Sequence, residues 1–503
     1  MEVLNNLLTG FGVALTWQGL LYTLIGVTVG TLVGVLPGLG PSATLALLLP
    51  VTFGLDPTFA IAMLAGIYYG AEYGGSTTSI LLNLPGEAGS VVTCLDGNLM
   101  AKKGRAGAAL GIAAFGSFIA GTIGLIAFTF MAHPLAKWSL SFGPPEYSML
   151  MMLGLVAAAS LSRDKVKGLV MAILGLLLGT IGTDTVSGSE RFTFGIANLM
   201  SGLSFIPVIM GLFAVGDIIN NFTETSETGA SVTGVSYRLR DLLPTREDWS
   251  YSIWPIIRGT VVGFLLGTLP GSGAAVAAFL AYSVERAVGR RRQLLGTGII
   301  EGVAAPESAN NAVTAGAMIP LFSFGIPGTP TTAILAGALM MYGLQPGPFL
   351  FVNHASFIWA VIATMYIGNV MLLVLNLPLI GLWVQLLKVP FYLLAPVVLV
   401  ITVIGAFSVN NNIFDVWILL IFGFLGYLAK KNKYPVAPLV LGMIISKKLE
   451  QSLRRSLLMS LGDLRIFVSS PISLALSILV AVALLATIFS FFKSKKGVRT
   501  QGA

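Results

Sequence analysis

The chain has 503 residues, of which 55% are hydrophobic and 10% charged, with a mean hydropathy of +0.88. Soluble globular domains carry about 25% charged residues, so this balance excludes a soluble globular chain. The net charge of +8 is not a nucleic-acid signal, because the basic residues sit in short clusters between apolar runs.

A spanning helix uses roughly 20 apolar residues, so the length accommodates roughly 12 membrane segments. Barrel strands would read as short alternating segments. The expected fold is therefore an all-α polytopic membrane protein. Apolar segments fall near 14–36, 42–53, 58–70, 107–131, 146–161, 166–183 and 200–219. Residues 220–250 form the longest polar stretch and carry Arg238, Arg240 and Arg246, which predicts a cytoplasmic linker. Further apolar segments lie near 252–269, 272–288, 312–326, 331–343, 355–377, 390–408, 413–429 and 434–446. An amphipathic stretch over 447–464 is expected along the interface. A last span over 471–492 ends in Lys493, Lys495 and Lys496, which predicts a cytoplasmic C-terminus. The division is a first transmembrane repeat over 1–219, the linker over 220–250, a second repeat over 251–465, and a C-terminal helix with a basic tail over 466–503. Cys94 is the single cysteine, so no intrachain disulfide forms. The N-terminus lacks the basic region of a cleaved signal peptide.

Two apolar runs are interrupted in the same way. LPGLGP over 36–41 and LPGSG over 269–273 align when Pro37 is set against Pro270, an offset of 233 residues. Seven neighbouring identities share that offset, among them Gly30/Gly263, Gly34/Gly267, Gly38/Gly271 and Gly40/Gly273. A second match sets GGSTTSILL over 74–82 against GTPTTAILA over 328–336, pairing Thr77 with Thr331 and Thr78 with Thr332 at an offset of 254. The difference requires an insertion in the second half, for which 289–311 is the candidate. The halves read as two repeats. Proline removes a backbone donor, glycine permits unusual dihedrals, and irregular backbone at membrane depth survives only where protein or water surrounds it. A helix restarting after such a break presents free N–H groups to an anion, and carbonyls at the other side suit a small cation. Paired broken helices in repeated halves point to a transporter's binding site. A packing kink without a ligand is the plainer alternative.

The candidate substrate-binding residues are Pro37, Gly38, Gly40 and Ser42 at the first break and Gly271, Ser272 and Gly273 at the second. Ser76, Thr77 and Thr78, and Thr329, Thr331 and Thr332, read as polar tips of re-entrant hairpins. Their alternative is a Ser/Thr hydroxyl bonding back to the preceding helical turn. Asn310 and Asn311 lie in AAPESANNA over 304–312. Glu72, Gly38, Gly271, Thr77 and Thr331 are candidates for a coupling ion. Glu87, Asp184, Glu190, Arg191, Glu301, Glu307 and His354 complete the ionisable groups near membrane depth. No phosphate-loop motif is present, and two histidines with one cysteine are too few for a usual metal centre. The chain is expected to be no enzyme and to hold no cofactor.

The motifs LPGLGP, GGSTTSILLNLPG over 74–86, RFTFG over 191–195, LPGSGAA over 269–275, EGVAAPESANNA over 301–312, GIPGTPTTA over 325–333 and YPVAPLVLG over 434–442 run in order along the chain. Together they closely resemble the large membrane subunit (TctA) of the tripartite tricarboxylate transporters. That resemblance implies a multi-pass carrier in the bacterial inner membrane. Its partners would be a small four-helix membrane subunit and a periplasmic solute-binding protein, and its substrates carboxylates such as citrate. Uptake would be coupled to sodium or protons, with sodium favoured, through inverted repeats and an elevator motion. A non-transporting scaffold or sensor, or a passive channel, are the readings of other classes. The carrier reading expects Gly38→Leu and Gly271→Leu to abolish uptake while the chain still inserts.

Overall fold

A computed structural model describes residues 2–36, 40–162, 164–184, 187–224, 239–386 and 391–499. Helix α1 (Glu2–Ala14) and α2 (Trp17–Val35) lead to the short α3 (Pro41–Leu48), and α4 (Pro57–Leu82) packs along α2. Then follow α5 (Thr93–Met100), α6 (Ala106–Ser139), α7 (Pro144–Ser160) and α8 (Lys165–Gly179). An antiparallel hairpin, β1 (Gly182–Thr183) with β2 (Glu190–Arg191), precedes α9 (Phe205–Ile209) and α10 (Gly216–Glu224). Beyond the short α11 (Leu239–Leu242) lie α12 (Arg246–Gly267), α13 (Ala274–Val288), α14 (Glu301–Phe324) and α15 (Pro330–Met341). The remainder comprises α16 (Phe349–Asn353), α17 (Ala355–Asn376), α18 (Ile380–Leu386), α19 (Phe391–Asn410), α20 (Ile413–Lys431), α21 (Val436–Met459) and α22 (Pro471–Arg499).

The burial pattern is that of a membrane protein. Val261, Leu265, Val400, Ile404 and Leu425 face outward, while Glu72, Glu307, Asn310 and Asn311 are shut inside. In water that arrangement would forfeit apolar burial; in lipid the outward aliphatic faces are at home. Among the described residues, four helical stretches are long and apolar enough to cross a bilayer unaided: Trp17–Val35, Thr93–Ser139, Ala355–Asn376 and Ile413–Lys431. This is fewer than the segments expected from hydropathy: α3 and α15 are short, while α4, α12, α14 and α21 are long enough but too polar to qualify.

Two helix pairs form the centre, α2 with α4 and α12 with α14. Gly26, Gly30 and Gly34 of α2 lie against the backbone of Met63, Ile67 and Ala71, where a Cβ would overlap it. Gly259, Gly263 and Gly267 of α12 lie in the same way against Ala305, Ala309 and Val313. Helices in lipid gain little from apolar burial, so such close backbone approach supplies their association by van der Waals contact. Gly263→Val is expected to lower stability by ~1–3 kcal/mol through overpacking. A drop in thermal unfolding midpoint of the purified chain in detergent checks this, and an unchanged midpoint would refute the close contact.

Three expected boundaries differ. The Ser76–Ser79 stretch is not a hairpin tip, since α4 runs unbroken through it to Leu82. Within the candidate insertion 289–311, residues 301–311 form the first turns of α14, with Pro306 inside the helix, so the helix starts well before the apolar segment expected from 312. The amphipathic stretch from 447 continues α21 instead of starting a separate element, held by Leu449 in the core and by Ser446, whose hydroxyl donates to the Leu176 carbonyl at 2.8 Å.

Candidate functional site

The second-half break separates α12 from α13. Gly271 adopts φ +87°, a left-handed conformation that suits glycine. Its N–H donates to the Gly328 carbonyl at 2.7 Å. Gly328 belongs to another interruption, the one between α14 and α15, so the two breaks of this half touch. Ser272 is buried, and its hydroxyl donates to the Leu269 carbonyl at 2.6 Å and also to the Leu266 carbonyl. It caps the end of α12 from below the break. Gly273 is the N-cap of α13, with φ −78° and ψ 168°.

Pro37 and Gly38 lie outside the described residues. Gly40 is the N-cap of α3, with φ −76° and ψ 168°, nearly the backbone of Gly273. A Cβ on either glycine would meet nothing within 4 Å. There is therefore open space beside both N-cap glycines. Ser42 sits half-buried in the first turn of α3.

The hydroxyl-rich stretch of α4 is employed differently. Ser76 donates to the Tyr73 carbonyl at 2.9 Å and Ser79 to the Gly75 carbonyl at 3.0 Å, the back-bonding that lets serine sit in a helix. Thr78 donates to the Val35 carbonyl at 2.5 Å, tying α4 to the last turn of α2 beside the first break. Thr77 is buried in the same turn. Thr77 and Thr331 are therefore not equivalent in place: one is mid-helix, the other in the first turn of α15. Thr329 caps α15 and exchanges hydrogen bonds with Thr332, whose N–H donates to the Thr329 hydroxyl at 3.2 Å. The segment closest in backbone to Gly325–Gly328 is Asn83–Gly86. Asn83 ends α4 in the left-handed region at φ 58°, and Gly325 ends α14 there at φ 72°. Each is followed by a Pro-Gly pair, at 85–86 and 327–328. Gly86 packs on the Gly34 carbonyl, and Gly328 on the Gly267 carbonyl.

Between the breaks lies a buried polar seam along α4 and α14. Asn310 donates from Nδ2 to Glu87 Oε1 at 3.1 Å and toward the Glu72 carbonyl at 3.5 Å. The Gly89 N–H donates to the other Glu87 oxygen. Gly89 also separates the Asn310 amide from Ala274 at the start of α13. Tyr68, one turn before Glu72, is buried in the same helix. Thus Glu72 and Asn310, predicted residues from distant parts of the chain, meet close to the start of α13. Asn311 points elsewhere, donating to the Ser117 hydroxyl of α6 at 2.6 Å and to the Glu307 carbonyl at 3.2 Å. Glu307 accepts from the Thr93 hydroxyl. Among the described residues no group of three or more His, Cys, Asp or Glu has metal-ligand spacing.

Three residues escaped sequence reasoning. Thr93 and Ser117 are single hydroxyls in apolar or mixed stretches, with no local signal. Asp96 is fully buried and accepts from the Tyr282 hydroxyl at 2.8 Å and from the N–H groups of Gly298 at 2.7 Å and Ile299 at 3.1 Å. It anchors the loop that launches α14. The RFTFG motif lies away from the seam. Arg191 pairs with Glu450 of α21 at 2.8 Å, and Asp184 with Arg454 at 2.8 Å. The hydrogen-bonded Glu450 carboxylate pushes the Arg191 guanidinium above its ordinary range.

This architecture defines a polytopic helical membrane protein with interrupted helices meeting around a buried polar seam, the arrangement of solute carriers. The tripartite tricarboxylate transporter TctA family model matches residues 20–441, and the chain belongs to that family. It is 46% identical over 500 residues to an uncharacterized 52.8 kDa protein in the TAR-I ttuC' 3' region of Agrobacterium vitis, covering 99% of this chain and 98% of that one. A protein in the TAR-II ttuC' 3' region of the same organism is 42% identical over 234 residues, 46% of this chain and 97% of its own. No solved structure matches. The family is one of transporter components rather than enzymes, and a tripartite transporter implies partner subunits and a binding protein.

Proposed function

We propose that this chain is the membrane carrier subunit of a binding-protein-dependent secondary transporter in the bacterial inner membrane. It imports carboxylates of the citrate class, driven by a sodium or proton gradient. The observation that carries the reading is the pair of N-caps, Gly40 and Gly273, which share a backbone conformation and border open space. A carboxylate bridging the first turns of α3 and α13 would meet two sets of unpaired N–H groups and two favourable helix dipoles. The matching of α2–α4 with α12–α14 supports two repeats, and an inverted pair would suit an elevator motion. The small membrane subunit and a periplasmic binding protein complete the assembly, with the C-terminus in the cytoplasm.

The test is uptake of labelled citrate and a panel of di- and tricarboxylates into proteoliposomes holding this chain and its small subunit. Binding protein is supplied outside, and sodium and proton gradients are imposed in turn. Expected is uptake that requires both the binding protein and one gradient. Silence across the panel with an assembled complex would support a non-transporting scaffold, and uptake without any gradient a passive channel.

A further inference from the structure

The α4–α14 seam has an unusual imbalance. Glu72 Oε2 and Asn310 Oδ1 are buried and have no hydrogen-bond partner among the described residues. Acceptor oxygens without a partner recur along this seam at Glu307 Oε2 and Asn311 Oδ1, alongside two unpartnered hydroxyls, Tyr69 and Ser308. Turning the Asn310 amide over would not cure this, because its nitrogen is already required by Glu87 Oε1 at 3.1 Å. Among the described residues, Glu72, Glu87 and Glu307 make no ion pair with a lysine, arginine or histidine. Buried oxygens without donors, next to carboxyls without counter-charge, are costly.

A proton can serve one carboxyl oxygen and one neighbour. A small cation satisfies several oxygens at once and also supplies the missing positive charge. The absence of a three-carboxylate or His/Cys cluster among the described residues disfavours a transition metal or a high-charge divalent site. Mixed carboxyl and amide oxygens suit a hard monovalent ion.

We propose that Glu72 and Asn310 hold a dehydrated sodium ion, with Glu87 as the carboxylate that fixes the Asn310 amide. This rests on the carrier reading and says where its coupling ion binds. The position explains coupling. Asn310 reaches the start of α13 through Gly89, and the break before α13 is joined to the one before α15 by the Gly271–Gly328 hydrogen bond. An ion there would draw α4, α14 and both second-half breaks together, organising the helix ends that meet the carboxylate. The proposal moves the ion away from Thr77 and Thr331, which serve helix packing and the start of α15.

The experiment is equilibrium binding of 22Na+ to the purified full chain in detergent, with no substrate or binding protein, alongside thermal unfolding in sodium or choline chloride. Wild type is expected to bind sodium saturably, resist displacement by potassium, and unfold at a higher temperature in sodium. Glu72→Gln and Asn310→Leu, both close in shape to the native side chains, are expected to weaken binding at least tenfold and to remove the sodium-dependent rise. Wild type that neither binds 22Na+ nor gains stability from sodium would overturn the proposal, whatever the variants do. So would binding that persists unchanged in both. Proton-driven uptake without sodium binding would overturn this site and leave the carrier standing, so the two failures are separable.

Discussion

Gly273→Leu is expected to leave the chain folded and to reduce carboxylate uptake roughly a hundredfold, the scale of loss when a bound group is displaced by about 1 Å. Its φ of −78° is ordinary for any residue, and a Cβ there meets nothing within 4 Å. The folding cost is about 1 kcal/mol for a poorer N-cap. The added side chain would instead occupy the space before α13. Gly40→Leu should behave alike at α3. Gly271→Leu is a less telling variant, because its Cβ would overlap the Ala158 backbone of α7 at a left-handed φ. It would lose uptake through misfolding as readily as through the site. The check is uptake by Gly273→Leu in proteoliposomes, normalised to reconstituted protein with an unchanged chromatographic profile. Normal uptake would place the substrate elsewhere.

Asp96→Ala should produce the largest loss of stability of any single substitution discussed, about 3–5 kcal/mol, because several buried donors share this one acceptor. The Tyr282 hydroxyl and the N–H groups of Gly296, Gly298 and Ile299 would lose their acceptor together. Buried donors left unsatisfied cost about 1–3 kcal/mol each, only partly additively. Asp96→Asn keeps one carbonyl oxygen and should fall between. Fluorescence-detected size exclusion after graded heating measures both, and an Asp96→Ala chain that melts like wild type would contradict the network. The loop it anchors launches α14, so uptake should fall with stability in proportion.

How much of this was readable beforehand depends on how each segment meets its neighbours. The second-half interruptions at 268–273 and 325–329 were legible, because Pro-Gly pairs break helices by local geometry alone. The Ser76–Ser79 hydroxyls misled. Letter identity aligned Thr77 with Thr331, but serine and threonine can bond back within a helix and need not interrupt it. Asn83–Gly86, which ends its helix as Gly325–Gly328 does, has only the Pro-Gly pair in common with it. Residues 301–311 fall outside the apolar segment starting at 312 because hydropathy prices Glu307, Asn310 and Asn311 as if each faced lipid. They face Thr93, Glu87 and Ser117 instead, partners that no window along the chain can see. Asp96 was invisible for the same reason, its acceptor role being set by a loop some 200 positions later. The membrane class and the family motifs, by contrast, needed no tertiary partner to be recognised.

The close seams between α2 and α4 and between α12 and α14 also govern how freely the sequence can drift. On the outer faces, Val261 and Leu265 lie among interchangeable aliphatic chains, where one oily residue replaces another with little consequence. Part of a turn away, at Gly259, Gly263 and Gly267, even one methyl group has no room. Tolerance should therefore change from permissive to nil across the width of a single helix. A saturation scan scored by cell growth on the transported carboxylate would draw each seam as a row of intolerant sites spaced four apart. Such rows would identify, from genetics alone, which helices travel as one piece.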